Sequence, residues 1–177
     1  MNQIDNTLNQ IYGKPCWGIS YDCNVNLSMS FGDPMLTIRE PFKPKSSSPG
    51  IREWASSRQV TIKGKWWLWV FCSYWKLSFD GERAASGASS FRQIQIALAK
   101  LSGQILTQAV INPHTGATRF EFDLGGTLDV RRFDRQSKHD LWMLYKPSGY
   151  VLTIRGDGRY SHQRRSDHAE KMVPIPA

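Results

Sequence analysis

The sequence predicts a mainly β fold of the α+β class, in which one central helix joins two pseudo-symmetric β units within a single domain. Three observations lead to this expectation. Several short segments alternate apolar and polar residues at a period of two, which is typical of strands with one buried face. Motifs of the first half recur in the same order in the second half, which indicates an internal duplication. Only residues 91–101 show clearly the apolar periodicity of a helix.

The duplication is predicted from two pairs of matching segments. Residues 31–39 correspond to residues 124–131, and each of these segments passes through glycine where a hairpin turn is expected. Residues 67–71 correspond to residues 141–145, and both segments are strands rich in tryptophan and leucine. The order of turns and strands is the same in the two copies, so we expect two units of similar topology.

Two structural equivalences follow from this alignment. The hairpin around Gly32 should superpose on its counterpart in the second half, with Phe31 and Leu124 in equivalent buried positions. Trp69 and Trp142 should be matching core residues, since both lie in strands that also contain leucine and further aromatic residues.

The length of the chain favours one domain over two. A chain of 177 residues can bury one shared core, whereas each half would be marginally stable alone. The strand at residues 66–71 is apolar on both faces, which indicates a sandwich or a twisted, partly closed sheet that covers it, with the helix on one side. Within the single domain 1–177 we expect four segments: pseudo-repeat A at 13–82, the linker helix at 89–102, pseudo-repeat B at 103–160 and a basic tail at 161–177.

The first unit is expected to hold strands on either side of a long loop. Residues 1–12 favour a short helix or a loose end, and the alternation up to Phe31 predicts a strand that turns at Gly32-Asp33-Pro34. Residues 41–58 contain three prolines and a run of three serines, so a loop is expected there. The region from Val60 to Phe79 is dense in tryptophan and other β-formers, and it predicts a pair of central strands.

The linker helix and the second unit have clearer local signals. Ser89 or Ser90 is expected to cap the helix, and Gly103 is expected to end it. A turn at residues 146–149 should join two strands as a hairpin. The segment after residue 160 is polar and basic, which favours a tail. The strands of this unit are predicted at residues 105–111, 120–124, 128–132, 141–145 and 150–155.

The charge of the chain permits an anionic partner. The formal net charge is +8 and the pI is near 9.6, which suits nucleic acid, an acidic protein surface or a phospholipid headgroup. Trp54 lies in the 41–58 loop, so it either anchors the loop to the core or contacts a partner. The candidate partner-binding residues are this tryptophan, the cations near it and the cations that cluster at the end of the strand at 128–132 and after it: Trp54, Arg52, Arg58, Arg131, Arg132, Arg135 and Lys138.

No catalytic residue, metal ligand or cofactor is predicted. The chain has no Gly-x-Ser-x-Gly elbow, no HExxH motif and no glycine-rich phosphate loop that opens a helix. Three cysteines are an odd count that does not suggest a disulfide framework. The longest apolar run is too short to span a membrane, and the first residues lack the features of a signal peptide. We therefore expect a cytoplasmic protein without a membrane partner.

The pattern of residues 101–160 resembles a known group of proteins. It consists of Leu101-x-Gly103, Phe120-x-Phe122-x-x-Gly125-x-x-Leu128-x-Val130, Leu141-Trp142-x-Leu144 and Pro147-x-Gly149. It is similar to small β-rich bacterial domains of uncharacterised activity, of the immunity and defence-accessory type found beside toxin or defence genes. The shared motif is structural, so the resemblance implies a non-enzymatic binding role and assigns no functional residue.

These observations favour a non-enzymatic protein of the bacterial immunity, inhibitor or defence-accessory type, with a partner protein encoded by a neighbouring gene. Immunity proteins that block nucleases tend to be acidic because they mimic nucleic acid, so a basic chain indicates an acidic target. The alternative is a basic nucleic-acid-binding accessory protein, because residues 63–67 and 74–76 interleave cations with aromatic rings. Non-specific binding of nucleic acid at low salt is expected in either case. An enzyme without a recognisable motif is the third interpretation.

Overall fold

Twelve strands and three helices make up the part of the chain that the computed structural model describes, residues 2–22, 26–134, 138–167 and 171–176. The helices are α1 (Gln3–Leu8), α2 (Pro49–Ser56) and α3 (Phe91–Leu101). The strands are β1 (Cys16–Tyr21), β2 (Leu27–Arg39), β3 (Gln59–Val70), β4 (Tyr74–Phe79), β5 (Glu82–Ser86), β6 (Leu106–Ile111), β7 (Thr118–Phe122), β8 (Gly126–Arg131), β9 (Asp140–Tyr145), β10 (Tyr150–Arg155), β11 (Arg159–Arg164) and β12 (Val173–Pro174). The predicted mainly β fold is confirmed, and two helices are present besides the central one.

The strands form two antiparallel sheets that enclose one core. A seven-stranded sheet has the order β1-β2-β3-β9-β10-β11-β12, and a five-stranded sheet has the order β5-β4-β8-β7-β6. Buried side chains of both sheets belong to one apolar cluster, to which α1 contributes Ile4 and Leu8 and α3 contributes Ile94 and Leu98. The fold is therefore a β-sandwich, one of the two arrangements that the sequence predicts.

The strand order relates the two halves of the chain. In the larger sheet β1-β2-β3 are followed by β9-β10, and in the smaller sheet β6-β7-β8 are followed by β4-β5. Equivalent positions in the two orders are held by strands five apart in the chain. β1, β2 and β3 correspond to β6, β7 and β8, and β9 and β10 correspond to β4 and β5. The backbone contacts at the junction are reciprocal, since the Gly13 N–H donates to the Leu106 carbonyl at 2.9 Å and the Gly103 N–H to the Cys16 carbonyl at 2.7 Å. The two β units are pseudo-symmetric in topology, while the duplication of their sequence stays a prediction.

Residues 31–39 do not form the predicted hairpin. β2 runs through this segment and pairs with β3 along its length, with a bulge between Phe31 and Pro34. Gly32, whose φ is 75°, and the proline suit a bulge as well as they suit a turn. Phe31 is buried whereas Leu124 is 68% exposed, so their predicted equivalence is wrong. In strand order β2 corresponds to β7, which ends before Leu124.

The outer halves of β2 and β3 extend beyond the sandwich as a two-stranded ribbon. β1 pairs with β2 only as far as Phe31, and β9 pairs with β3 only from Trp67 onward. Residues 34–39 and 59–64 therefore pair with each other and with no other described strand. The ribbon is about 20 Å long at the usual rise of a strand, and α2 lies in the connection at its tip. We call residues 34–64 the arm.

The helices depart from the sequence prediction outside α3. Ser90 caps α3 as expected, and Ile94, Leu98 and Leu101 face the core. α1 resolves the two alternatives for the first residues in favour of a helix. α2 lies inside residues 41–58, which were expected to be loop throughout, and it begins with proline, which favours the first turn of a helix.

The described residues of the segment 161–177, which are 161–167 and 171–176, do not form the predicted tail. β11 extends to residue 164 and pairs with β10, and β12 pairs with β11 in turn. Ile175, near the end of the chain, is buried in the core. β11 is polar because strands close to the edge of a sheet need no continuous apolar face, so its sequence does not distinguish it from a solvated segment.

Candidate partner-binding surface

The arm exposes an apolar face. Side chains of β3 alternate without interruption, so Val60 and Ile62 point to the same side of the sheet as the buried Trp66. Across the ribbon, Leu36 pairs with Ile62 and Ile38 pairs with Val60. In the order Leu36, Ile62, Ile38 and Val60, these side chains are 69%, 63%, 57% and 56% exposed. The arm therefore presents to solvent a face that forms the core elsewhere in the same sheet.

This face belongs to a larger concentration of exposed apolar side chains. Of thirteen large apolar residues exposed in the described part of the chain, eight lie on the arm: Met35, Leu36, Ile38, Phe42, Ile51, Trp54, Val60 and Ile62. The arm holds 31 of the 177 residues, so the concentration is well above its share. Proteins that act alone rarely expose apolar surface concentrated in this way, which is typical of an interaction site.

Arg39 organises the tip of the arm. Its guanidinium lies 4.0 Å from the ring centroid of Trp54 and 5.3 Å from that of Phe42. It also donates hydrogen bonds to the carbonyls of Trp54 and Ser57, at 2.7 and 3.0 Å, and its charge stabilises the C-terminal end of α2. The two rings meet edge to face at 5.9 Å. Trp54 therefore anchors α2 to the ribbon and remains 49% exposed, which leaves it available for contact.

The arm is basic as well as apolar. It carries six Lys and Arg residues against two Glu residues, a net charge of +4, which is half of the +8 of the chain. Arg58 forms an ion pair with Glu40 at 2.8 Å, and because both side chains are exposed the pair contributes little to stability. Arg52 is exposed on α2. Three predicted site residues, Arg52, Trp54 and Arg58, thus lie together at the tip.

A cluster of cations and rings borders the base of the arm. The Lys146 ammonium lies 5.7 Å from the ring centroid of Trp66 and 3.4 Å from His162 Nε2. The His162 ring stacks on Tyr150 at 5.1 Å, and the Arg164 guanidinium lies 5.5 Å from the centroid of Tyr150. Since Lys146 contacts the face of Trp66 that continues into the apolar face of the arm, these residues border that face. We call Lys146, Tyr150, His162 and Arg164 the basic rim.

His162 of the basic rim should make the stability of the protein depend on pH. Burial, and then repulsion from Lys146, hold the pKa of His162 below its ordinary value. The unfolded chain therefore binds this proton more readily, so stability is full above the ordinary pKa of about 6.5 and falls as pH decreases below it. We expect the urea midpoint to drop between pH 7 and pH 5, and His162→Gln to reduce that drop. A variant with an undiminished drop would assign the pH dependence to other groups.

The remaining predicted site residues lie at the other end of β3. Arg131 pairs with Tyr74 in the smaller sheet, and its guanidinium lies 4.2 Å from that ring centroid. Arg132 donates to a backbone carbonyl of the turn after β10 at 2.9 Å, Lys138 is exposed, and Arg135 lies outside the described residues. β3 has 12 residues and is about 40 Å long at the usual rise. The structure therefore does not gather these cations and the tip of the arm into one surface.

Arg131 and Tyr74 line a shallow groove of ≈ 620 Å³ on the smaller sheet. Within it Asp129 forms ion pairs with Lys76 at 3.2 Å and with Arg119 at 2.7 Å. Burial opposes ionisation of Asp129, but hydrogen bonds from Arg119 and Lys76 outweigh it and hold the pKa of Asp129 below its ordinary value. The lining of the groove holds three cations, Lys76, Arg119 and Arg131, against this one carboxylate. Its net charge of +2 is lower than the +4 of the arm, so the groove attracts an anionic partner less than the arm does.

The sequence does not predict the apolar face of the arm or the basic rim. Val60 and Ile62 alternate with polar neighbours as buried strand residues do, and the rim belongs partly to a segment expected to be a tail. The one available signal is position, since the apolar residues of the ribbon flank the longest loop of the chain, and long loops are often functional.

Metal sites, membrane spans and known relatives add no further assignment. Within the described ranges, no group of three or more His, Cys, Asp or Glu side chains is placed to hold a metal ion. None of the three described helices is long and apolar enough to cross a membrane. Comparison of the chain with protein-family models, curated proteins and solved structures finds no significant match.

Proposed function

We propose that this chain is a non-enzymatic binding protein whose arm holds a partner protein with an acidic surface. The observation that supports this is the exposure of Leu36, Ile38, Val60 and Ile62 on a ribbon that pairs with no other described strand. Covering apolar surface stabilises a complex by about 25 cal/mol per Å² of area removed from water. A partner that covers this face gains the part of this free energy that exceeds the cost of association.

Charge indicates the chemistry of the partner. The arm carries a net charge of +4, and Lys146 and Arg164 add cations at its border. An apolar strip flanked by Asp and Glu would complement this surface, whereas a second copy of the chain would bring two arms of +4 together. Complementary charge speeds association and disfavours wrong partners. The apolar contact supplies affinity that salt does not screen.

The edges of the ribbon offer a second kind of contact. One edge is that of β3, which pairs with β9 from Trp67 onward and has no described partner strand on that side over residues 59–65. The other edge is that of β2, which pairs with β1 as far as Phe31 and has no described partner strand on that side beyond it. An extended segment of a partner can add to such an edge through backbone hydrogen bonds, while its side chains contact the apolar face. Binding of this kind combines backbone affinity with selection by side chains.

We place this binding in the immunity, inhibitor or defence-accessory class, with the product of a neighbouring gene as the partner. The resemblance of residues 101–160 to such domains supports the class. The basic charge of the arm supports an acidic protein as the target, because a basic surface does not mimic nucleic acid and so does not suit the active site of a nuclease.

Excision of the arm is expected to abolish partner binding and to leave the sandwich folded. In the variant, residues 32–65 are replaced by the tripeptide Asp-Leu-Gly. The same tripeptide, residues 123–125, joins β7 to β8 in the native chain. β7 and β8 are the counterparts of β2 and β3 in strand order, so the short turn suits this position. We expect a melting temperature within about 5 °C of that of the full chain. Surface plasmon resonance at physiological salt should show binding of the neighbouring gene's product to the full chain alone.

Two results of this experiment would have different meanings. A folded excised chain that binds as tightly as the full chain would show that the arm is not the binding surface. An unfolded excised chain would show that the arm is part of the folding core, contrary to the strand pairing. Sedimentation equilibrium of both chains adds a third readout, since a mass that doubles with concentration in the full chain and not in the excised chain would make a second copy the occupant of the arm.

A further inference from the structure

A row of aromatic rings lies on the outer face of the seven-stranded sheet. Tyr145, Trp67, Trp69 and Phe71 follow one another with centroid separations of 4.9, 5.7 and 4.8 Å. The planes of Trp67 and Trp69 are only 17° from parallel. All four rings are half-buried. The helix that was expected to cover one side of this strand, α3, packs against β5 and β1 instead.

The side chains beside this row on β2 are small and polar. On β2, Ser30 pairs with Trp67 and Ser28 pairs with Trp69. Ser20 of β1 shares a hydrogen bond with Ser28 at 2.8 Å. The rings therefore lie beside small hydroxyl side chains, of which Ser30 is buried and Ser28 is partly exposed.

Two cations flank the row without carboxylate partners. The Lys63 ammonium lies 4.1 Å from the centroid of Trp67, and the Arg165 guanidinium lies 5.9 Å from the centroid of Tyr145. Neither forms an ion pair with a described carboxylate. The groove on the smaller sheet differs in this respect, because two of its cations, Lys76 and Arg119, form ion pairs with the carboxylate of Asp129. Of the two outer faces, this one suits a polyanion.

We infer that this face binds single-stranded nucleic acid, with bases stacked on the rings and phosphates near Lys63 and Arg165. Aromatic rings interleaved with cations are the pattern of sequence-tolerant single-strand binding. A duplex keeps its base faces stacked internally, so it can use the cations and not the rings. The row points away from the apolar face of the arm, on the opposite side of β3. The inference therefore goes beyond the proposed function and does not depend on it.

Fluorescence anisotropy with a labelled oligothymidylate and with a duplex of the same length tests the inference. The full chain should bind the single strand more tightly than the duplex. Trp69→Ala should weaken single-strand binding by about tenfold and leave duplex binding unchanged. Phe91→Ala removes an exposed ring from α3 and is expected to change neither. Equal affinity for the two probes, or no binding at low salt, would overturn the inference.

A second pair of variants removes charge and no packing. Lys63→Gln with Arg165→Gln should weaken single-strand binding and reduce the slope of log K against log salt by about 1.4, the value for two phosphate contacts. Lys43→Gln with Lys45→Gln removes two charges from the connection between β2 and α2, at the tip of the arm, and should have little effect. Equal weakening by both pairs would show that net charge alone attracts the oligonucleotide, and the inference would be wrong.

Discussion

Replacing Trp142 with alanine is expected to lower the free energy of unfolding by about 3–5 kcal/mol, a large fraction of the stability of a typical domain. Trp142 is fully buried and meets Phe120 of the other sheet edge to face at 5.4 Å. Its indole N–H donates to the Thr118 hydroxyl at 2.8 Å. Alanine would leave a cavity between the sheets and a buried hydroxyl without its donor. Urea unfolding followed by circular dichroism measures the loss.

Trp69→Ala is the matched control for this substitution. Trp69 lies in the same sheet, but its side chain points outward and is half-buried. The same truncation should therefore cost clearly less, because less apolar surface returns to water. Similar losses in the two variants would contradict the placement of these tryptophans on opposite faces. The prediction that both are core residues is confirmed for Trp142 and wrong for Trp69.

The two tryptophans show what strand periodicity determines. It sorts side chains into two faces, and the neighbours Trp66 and Trp67 do point to opposite sides of β3 as predicted. It does not determine which face is covered, since the cover comes from elements distant in sequence. A strand apolar on both faces was expected to be covered on both. Here Trp67 and Trp69 shield one another in the row of rings instead.

The arm could not be predicted for the same reason. Val60 and Ile62 have the alternation of core residues, and they are exposed because the ribbon extends beyond the sandwich, where the smaller sheet does not cover its inner face. Gly32 and Pro34 have the chemistry of a turn and of a bulge, and the pairing of β2 with β3 decides between the two. Both outcomes depend on long-range strand pairing.

Elements with strong local signals were predicted well. α3 has a serine cap and an apolar stripe within its own sequence. The hairpin of β9 and β10 has its turn where Pro147 and Gly149 indicate one. β11 lacks such a signal, since its own side chains are largely polar. Its neighbour β12 is only two residues long, so it gives no signal of a strand either. The basic rim was missed along with it.

A charge placed in the apolar face of the arm is expected to weaken partner binding by about 100-fold. Ile62→Asp puts a carboxylate opposite Leu36, at the centre of the face, where a docked partner would remove it from water. A loss of this size corresponds to about 2.7 kcal/mol, which is typical of a hot spot in an interface. Stability should change little, because Ile62 is exposed in the free protein.

The most direct test of the arm as the partner-binding surface compares neighbouring residues of β3. Thr61 is exposed on the opposite face of the ribbon, so Thr61→Asp adds the same charge to the same strand. Isothermal titration calorimetry with the neighbouring gene's product at physiological salt gives both affinities. We predict a loss of about 100-fold for Ile62→Asp and of less than about threefold for Thr61→Asp. Equal losses in the two variants, or full affinity in Ile62→Asp, would contradict the apolar face of the arm as the site.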